Sequence, residues 1–181
     1  PGGTLLAWRL PRETRGPGRT IELPSAALGL ATDRGATWVG VPRVGQPAQV
    51  WCLRWPAEAR PLVLRDGPDT ANFSADVASD GHWVATALVR GVAVRPLRER
   101  SPLVLGGHTR PVNSVVFAPD GSWVASTGQD PAVRLWPLAG SLPPPSRQLT
   151  SWADQLAYVL GIGVSPDGRP GSVRQRPDGR P

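Results

Sequence analysis

The sequence predicts an all-β fold assembled from small antiparallel sheets that recur about every forty residues. Three observations lead there. The 181 residues hold 22 Pro and 21 Gly; Pro removes a backbone donor and Gly costs backbone entropy, so long helices are excluded. Short segments repeat in the same order. Pro61-Leu62-Val63-Leu64 returns as Pro102-Leu103-Val104-Leu105, Asp80-Gly81-His82-Trp83-Val84-Ala85 as Asp120-Gly121-Ser122-Trp123-Val124-Ala125, and Val94-Arg95-Pro96-Leu97 as Leu135-Trp136-Pro137-Leu138, at offsets of 40 or 41. Finally, runs of β-branched and aromatic residues are bounded by Gly, Pro and Asp, the signature of strands joined by tight turns.

Taken in order, residues 1–10 read as the end of a preceding blade, because Leu6-Ala7-Trp8-Arg9-Leu10 matches Gln49-Val50-Trp51-Cys52-Leu53. Residues 20–53 form a degenerate unit, in which 33–39 (DRGATWV) reads as the Asp-Gly-x-Trp-Val turn with a small insertion. Residues 61–97 form a second unit and 102–138 the best-formed one. In the latter, 112–117 is a strand, Pro119-Asp120-Gly121 a turn in which Pro fixes φ, Asp bonds its own backbone and Gly accepts positive φ, 123–127 a strand, and 132–138 another. A short strand at 103–105 precedes that unit, making four strands per period of about 40–45 residues, the pattern of a propeller blade. Residues 139–160 are expected as a linker carrying a short helical candidate at 152–160. Residues 161–168 are expected to start a further blade, and 169–181 to form a disordered tail.

The unit at 102–138 carries a family resemblance. Gly107-His108, the run from Val112 through Pro119-Asp120-Gly121, Val124-Ala125-Ser126, Asp130 and Val133-Arg134-Leu135-Trp136 resemble a WD40 repeat. That resemblance implies a partial WD40-type β-propeller of four-stranded antiparallel blades. It also implies a buried hydrogen-bond relay through His108, Ser126, Asp130 and Trp136, and a non-catalytic platform for other proteins or peptides, in bacteria often attached to signalling domains. The sequence departs from the pattern in places. Pro137 stands where an Asp often follows the Trp, Arg95 replaces the Trp in 61–97, and that unit lacks the Gly-His, so only one unit can carry the whole relay.

The residues whose side chains are capable of chemistry read as structural. One cysteine and two histidines exclude an all-cysteine or three-histidine metal centre, and no cofactor is expected. Cys52 is expected to be a buried, inert thiol and His82 a solvated turn residue. Asp33, Asp80, Asp120 and Asp167 fall at equivalent turns, one per unit, so they cannot converge. Trp38, Trp83 and Trp123, and Trp8, Trp51 and Trp136, fall at repeat-equivalent strand positions and are expected to pack between blades; Trp55 and Trp152 lie off them and are candidates for surface contact. All 20 basic residues are Arg, with a net charge of +6. The clusters Arg12, Arg15 and Arg19; Arg90, Arg95, Arg98 and Arg100; and Arg169, Arg174, Arg176 and Arg180 are dispersed, and the last lacks aromatics, which argues against a nucleic-acid surface. No run approaches the roughly 20 apolar residues of a membrane helix, and a cytoplasmic location is expected. The chain lacks Met and three blades cannot close a ring. The functional protein is therefore expected to be longer, with further blades or another copy completing the ring. A four-bladed ring, in which the strand at 4–10 completes the blade begun by 161–165, is the alternative.

Overall fold

The computed structural model describes residues 3–7, 19–23, 27–43, 46–53, 61–65, 73–97, 102–130, 132–138, 147–149, 159–165 and 174–175. These residues form strands and turns, with no helix among them. Strands β1 (Gly3–Ala7) and β2 (Arg19–Leu23) pair antiparallel. Three four-stranded antiparallel sheets follow. The first holds β3 (Ala31–Thr32), β4 (Trp38–Val41), β5 (Ala48–Cys52) and β6 (Leu62–Leu64); the second β7 (Ala75–Val77), β8 (Trp83–Ala87), β9 (Gly91–Pro96) and β10 (Leu103–Gly106). The third holds β11 (Val112–Phe117), β12 (Trp123–Gly128), β13 (Val133–Pro137) and β14 (Arg147–Leu149), and β15 (Val159–Gly161) pairs with β16 (Arg174–Gln175). Each four-stranded sheet is a simple meander. The first strands stand side by side, β3 next to β7, β7 next to β11 and β11 next to β15. This is the arrangement of propeller blades about an axis.

Register makes the three sheets equivalent residue by residue. Val39 pairs with Trp51, Val84 with Arg95 and Val124 with Trp136. The sheets are nonetheless offset from the sequence units by one strand. Leu103 pairs with Val94 and Gln49 with Val63, so the strand that opens each sequence unit closes the preceding sheet. Physically, an outer strand bonds through only one edge, and its apolar pattern is the same whichever neighbour it joins.

Other differences lie at the ends. Residues 147–149, expected within a linker, complete the third sheet through Leu135↔Arg147 and Val133↔Leu149. Residues 174–175, expected within a disordered tail, pair with β15. Residues 3–7 pair with 19–23. Residues 152–158 of the helical candidate lie outside the described residues, and 159–160 are strand.

The core lies between sheets. Between the second and third, Ala85, Ala87, Val92, Val94, Leu105, Val112, Val115, Phe117, Val124 and Trp136 are all buried in one cluster. Between the first and second, Ala48, Val50, Leu64, Val77, Val84 and Leu97 form another, with Trp38 against it. Each Val or Leu so buried contributes about 1.5–3 kcal/mol. Because each face needs the next sheet, the stack is stabilised cooperatively along the chain. Hydrogen bonds also cross between sheets: Val112 N–H donates to Leu88 O (3.1 Å), and Ser79 Oγ to Pro119 O (2.6 Å).

Candidate functional site

The third sheet brings His108, Ser126, Asp130 and Trp136 together. His108 Nδ1 lies 2.7 Å from Asp130 Oδ1 and Nε2 lies 2.8 Å from Ser126 Oγ, while Trp136 Nε1–H donates to the same Oγ at 2.8 Å. Asp130 Oδ2 accepts the Thr109 N–H at 2.7 Å. One proton arrangement satisfies every group. His108 is neutral and donates from Nδ1 to Asp130; Ser126 donates to Nε2 and accepts from the indole. Burial, the largest effect, lowers the His108 pKa against the raising influence of Asp130, in keeping with a neutral ring.

The order Ser–His–Asp is also that of a hydrolytic triad, and exposure separates the two roles. A nucleophilic hydroxyl must reach substrate, whereas Ser126 is 0% exposed and its oxygen already carries the Trp136 bond. The arrangement ties the loop before β11 to β12 and β13.

The sister sheets keep parts of this pattern. Trp51 occupies the Trp136 register position, but Val41 stands where Ser126 does, so the buried indole N–H of Trp51 has no acceptor among the described residues. Arg95 occupies the same position in the second sheet and is 4% exposed, with burial lowering its pKa. Its placement among solvated basic residues is thus corrected: register carries it inward.

The turns between the first two strands of each sheet share one geometry. Gly81 N–H donates to Ala78 O, Gly121 N–H to Ala118 O, and Ala36 N–H to Asp33 O, at 2.8–2.9 Å. Gly81 and Gly121 take φ of 69° and 73°, and Ala36 takes 47° at the equivalent position. The expected insertion in 33–39 is therefore absent. Nor is Asp33 equivalent to Asp80 and Asp120; it aligns with Ala78 and Ala118. In the later sheets the turn carboxylate accepts from two residues ahead, Asp80 from His82 N–H and Asp120 from Ser122 N–H. In the first sheet Gly35 fills that place. Asp33 supplies the acceptor from the strand end instead, taking the N–H groups of Gly35 (3.2 Å), Thr37 (2.7 Å) and Trp38 (2.7 Å). Asp33 is consequently buried while Asp80 and Asp120 are exposed.

His82 is exposed in its turn, as expected, and Cys52 is half-buried rather than buried, because it sits at the end of β5. Trp38 and Trp123 are half-buried; Trp83 is exposed. Trp55, Trp152 and Asp167 lie outside the described residues, as do the side chains of the first and last Arg clusters. Among the described arginines, Arg34, Arg65, Arg90 and Arg110 are exposed, while Arg43 and Arg95 are buried. No helix among the described residues is long and apolar enough to cross a membrane.

Sequence reasoning missed Asp76 on β7. Its Oδ2 accepts the Phe117 N–H of the next sheet at 2.7 Å and its Oδ1 the Val77 N–H at 2.9 Å. Ser74 Oγ accepts the Val115 N–H at 3.2 Å. Two side chains, one on the inner strand β7 and one just before it, thus bond the backbone of the neighbouring strand. Burial raises Asp76 to about 6 despite those bonds. The signal was present: by register, Asp76 aligns with the apolar Val116.

Residues 100–137 match the family model described as WD domain, G-beta repeat. The chain is 36% identical, over 54% of its length, to an uncharacterized WD repeat-containing protein of Synechocystis, 28% of which is covered. It is 56% identical, over 18% of its length, to a Notchless protein homolog of Arabidopsis thaliana, 7% of which is covered. It therefore spans well under a third of either relative. The repeat match over 100–137, the similarity to WD-repeat proteins and the equivalent four-stranded sheets agree: residues 100–137 match a WD40 repeat, and the chain is similar to WD-repeat proteins over about half its length.

Proposed function

We propose that this chain is a non-catalytic propeller segment that serves as a scaffold for protein–protein contacts, within a longer multidomain protein of signalling type in the cytoplasm. The observation that carries the reading is the set of three equivalent turns, 33–37, 78–82 and 118–122. Each is closed by a backbone bond and a carboxylate, and each presents a Trp at the same strand start. Such turns are already ordered, so a partner docking on them loses little conformational entropy. The His–Asp–Ser arrangement that would otherwise favour an enzyme is enclosed in the third sheet.

Peptides selected by display against the full chain test this, with the bound surface mapped by amide shifts. The reading expects ligands that shift turn residues and are not turned over. It is overturned if no peptide is selected while duplex DNA binds with an affinity that falls steeply with salt, the behaviour of a basic nucleic-acid binder.

A further inference from the structure

A cleft of about 210 Å³ lies where the 33–37 turn of the first sheet meets the 78–82 turn of the second, lined by Asp33, Thr37, Trp38, Asp80, Gly81, His82 and Leu97. We propose that this cleft receives one arginine side chain from a partner polypeptide. The inference rests on the scaffold reading and names the chemistry of one contact.

Size comes first. Small-molecule sites run from about 300 to 1,000 Å³, so this cavity suits a single side chain. Charge comes next. In a chain of net charge +6, two carboxylates line one small cavity, and neither is paired with an arginine among the described residues. Asp33 is only 7% exposed. Its three N–H partners fix its position, and no arginine among the described residues offsets its negative charge.

The third element is the indole. Trp38 is half-buried, packs on the Leu97 cluster and lines the cleft. A guanidinium can stack on an indole face and still give in-plane donors to a carboxylate, whereas an ammonium is a more strongly hydrated point charge. This favours arginine over lysine.

The cleft is also rigid. Leu97 N–H donates to His82 O at 2.8 Å, Arg34 N–H donates to Ser79 O at 3.1 Å, and a Cβ on Gly81 would stand 3.3 Å from both Asp33 Oδ2 and Trp38 Cδ1. The equivalent place between the second and third sheets lacks the buried carboxylate, since Ala78 stands where Asp33 does. The cleft is thus specific to the first seam.

The test titrates the ¹⁵N-labelled full chain with acetyl-Gly-Arg-Gly-amide and with the same peptide carrying citrulline, a neutral near-isostere. Saturable shifts are expected at the Gly81 and His82 amides and the Trp38 indole N–H, with citrulline about tenfold weaker or more. Asp80→Asn keeps the acceptor for the His82 N–H and removes the charge, so it should fold normally and weaken the arginine peptide several-fold. Silence at these residues, equal response to citrulline, or unchanged affinity in Asp80→Asn overturns the proposal. If display-selected peptides bind other turns while the cleft stays silent, the arginine site fails and the scaffold reading survives. If no peptide binds anywhere and duplex DNA does, the scaffold reading itself has failed.

Discussion

Replacing Asp76 with Asn should make the protein more stable at pH 8 and less stable at pH 4, and the crossing of the two curves is the informative result. Asp76 lies on β7 with one oxygen on the Phe117 N–H and the other on the Val77 N–H. No charged residue lies on β3, β4, β8 or β11, the strands packed against β7. Burial therefore prevails, and the pKa is raised from its ordinary value of 3.8 to about 6. A raised pKa means that the folded protein binds this proton more tightly than the unfolded chain does. The stabilising contribution is thus complete below the unfolded pKa and is lost as pH rises through about 6.

At 1.36 kcal/mol per pH unit, the gap is worth about 3 kcal/mol at most. Asn removes the charge but offers one acceptor oxygen in place of two, leaving one backbone N–H poorly served at a cost of about 1 kcal/mol. The variant should accordingly be about 2 kcal/mol more stable than wild type at pH 8 and about 1 kcal/mol less stable at pH 4. Urea denaturation followed by tryptophan fluorescence at pH 4, 6 and 8 gives both numbers. The comparison is between two proteins at each pH, so other titrating groups cancel. His108 is one such group: its lowered pKa works in the opposite direction in both proteins, giving stability above its ordinary value of 6.5 that is lost as pH falls. A difference between variant and wild type that stays constant from pH 4 to 8 would refute the assignment of a strained carboxylate to this seam.

Ser126→Ala leaves the Trp136 N–H without its acceptor and His108 Nε2 without its donor, in a site of 0% exposure. It should destabilise by about 2–4 kcal/mol in denaturant titration. Ala36→Gly relieves a left-handed residue where the sister turns use Gly; a gain of about 1 kcal/mol is expected, read as a higher urea midpoint. Val41→Thr puts a hydroxyl at the register position of Ser126, beside the unsatisfied indole of Trp51. It should change stability by less than about 1 kcal/mol, whereas the same change at buried Val84, at the register position of Val39 and Val124 in β4 and β12, should cost about 2 kcal/mol or more.

Much of the architecture was legible because turn chemistry is local. Asp80-Gly81 and Asp120-Gly121 announce a tight turn wherever they stand, and their spacing marks the period. His108, Ser126, Asp130 and Trp136 were legible through the resemblance of 102–138 to a WD40 repeat, which gives each of them a motif position. What could not be read depends on which strand neighbours which. Leu103-Val104-Leu105 has the same apolar pattern whether it opens one sheet or closes another. Arg95 looked like one more surface arginine until the Val84↔Arg95 pairing turned it inward. Asp33 resembled the other turn carboxylates in sequence, but it sits two residues earlier in the turn, and its place beside Gly81 arises only when two sheets pack. The arginine cleft is a property of a seam, and a seam has no motif of its own.

The central claim is that equivalent four-stranded sheets follow one another, each closed by the strand that opens the next sequence unit. Cross-strand NOEs in the labelled full chain measure this directly. Backbone contacts between Gln49 and Val63 and between Val94 and Leu103 are predicted; contacts joining 103–106 to 112–117 instead, or helical i to i+3 contacts within 75–137, would contradict it.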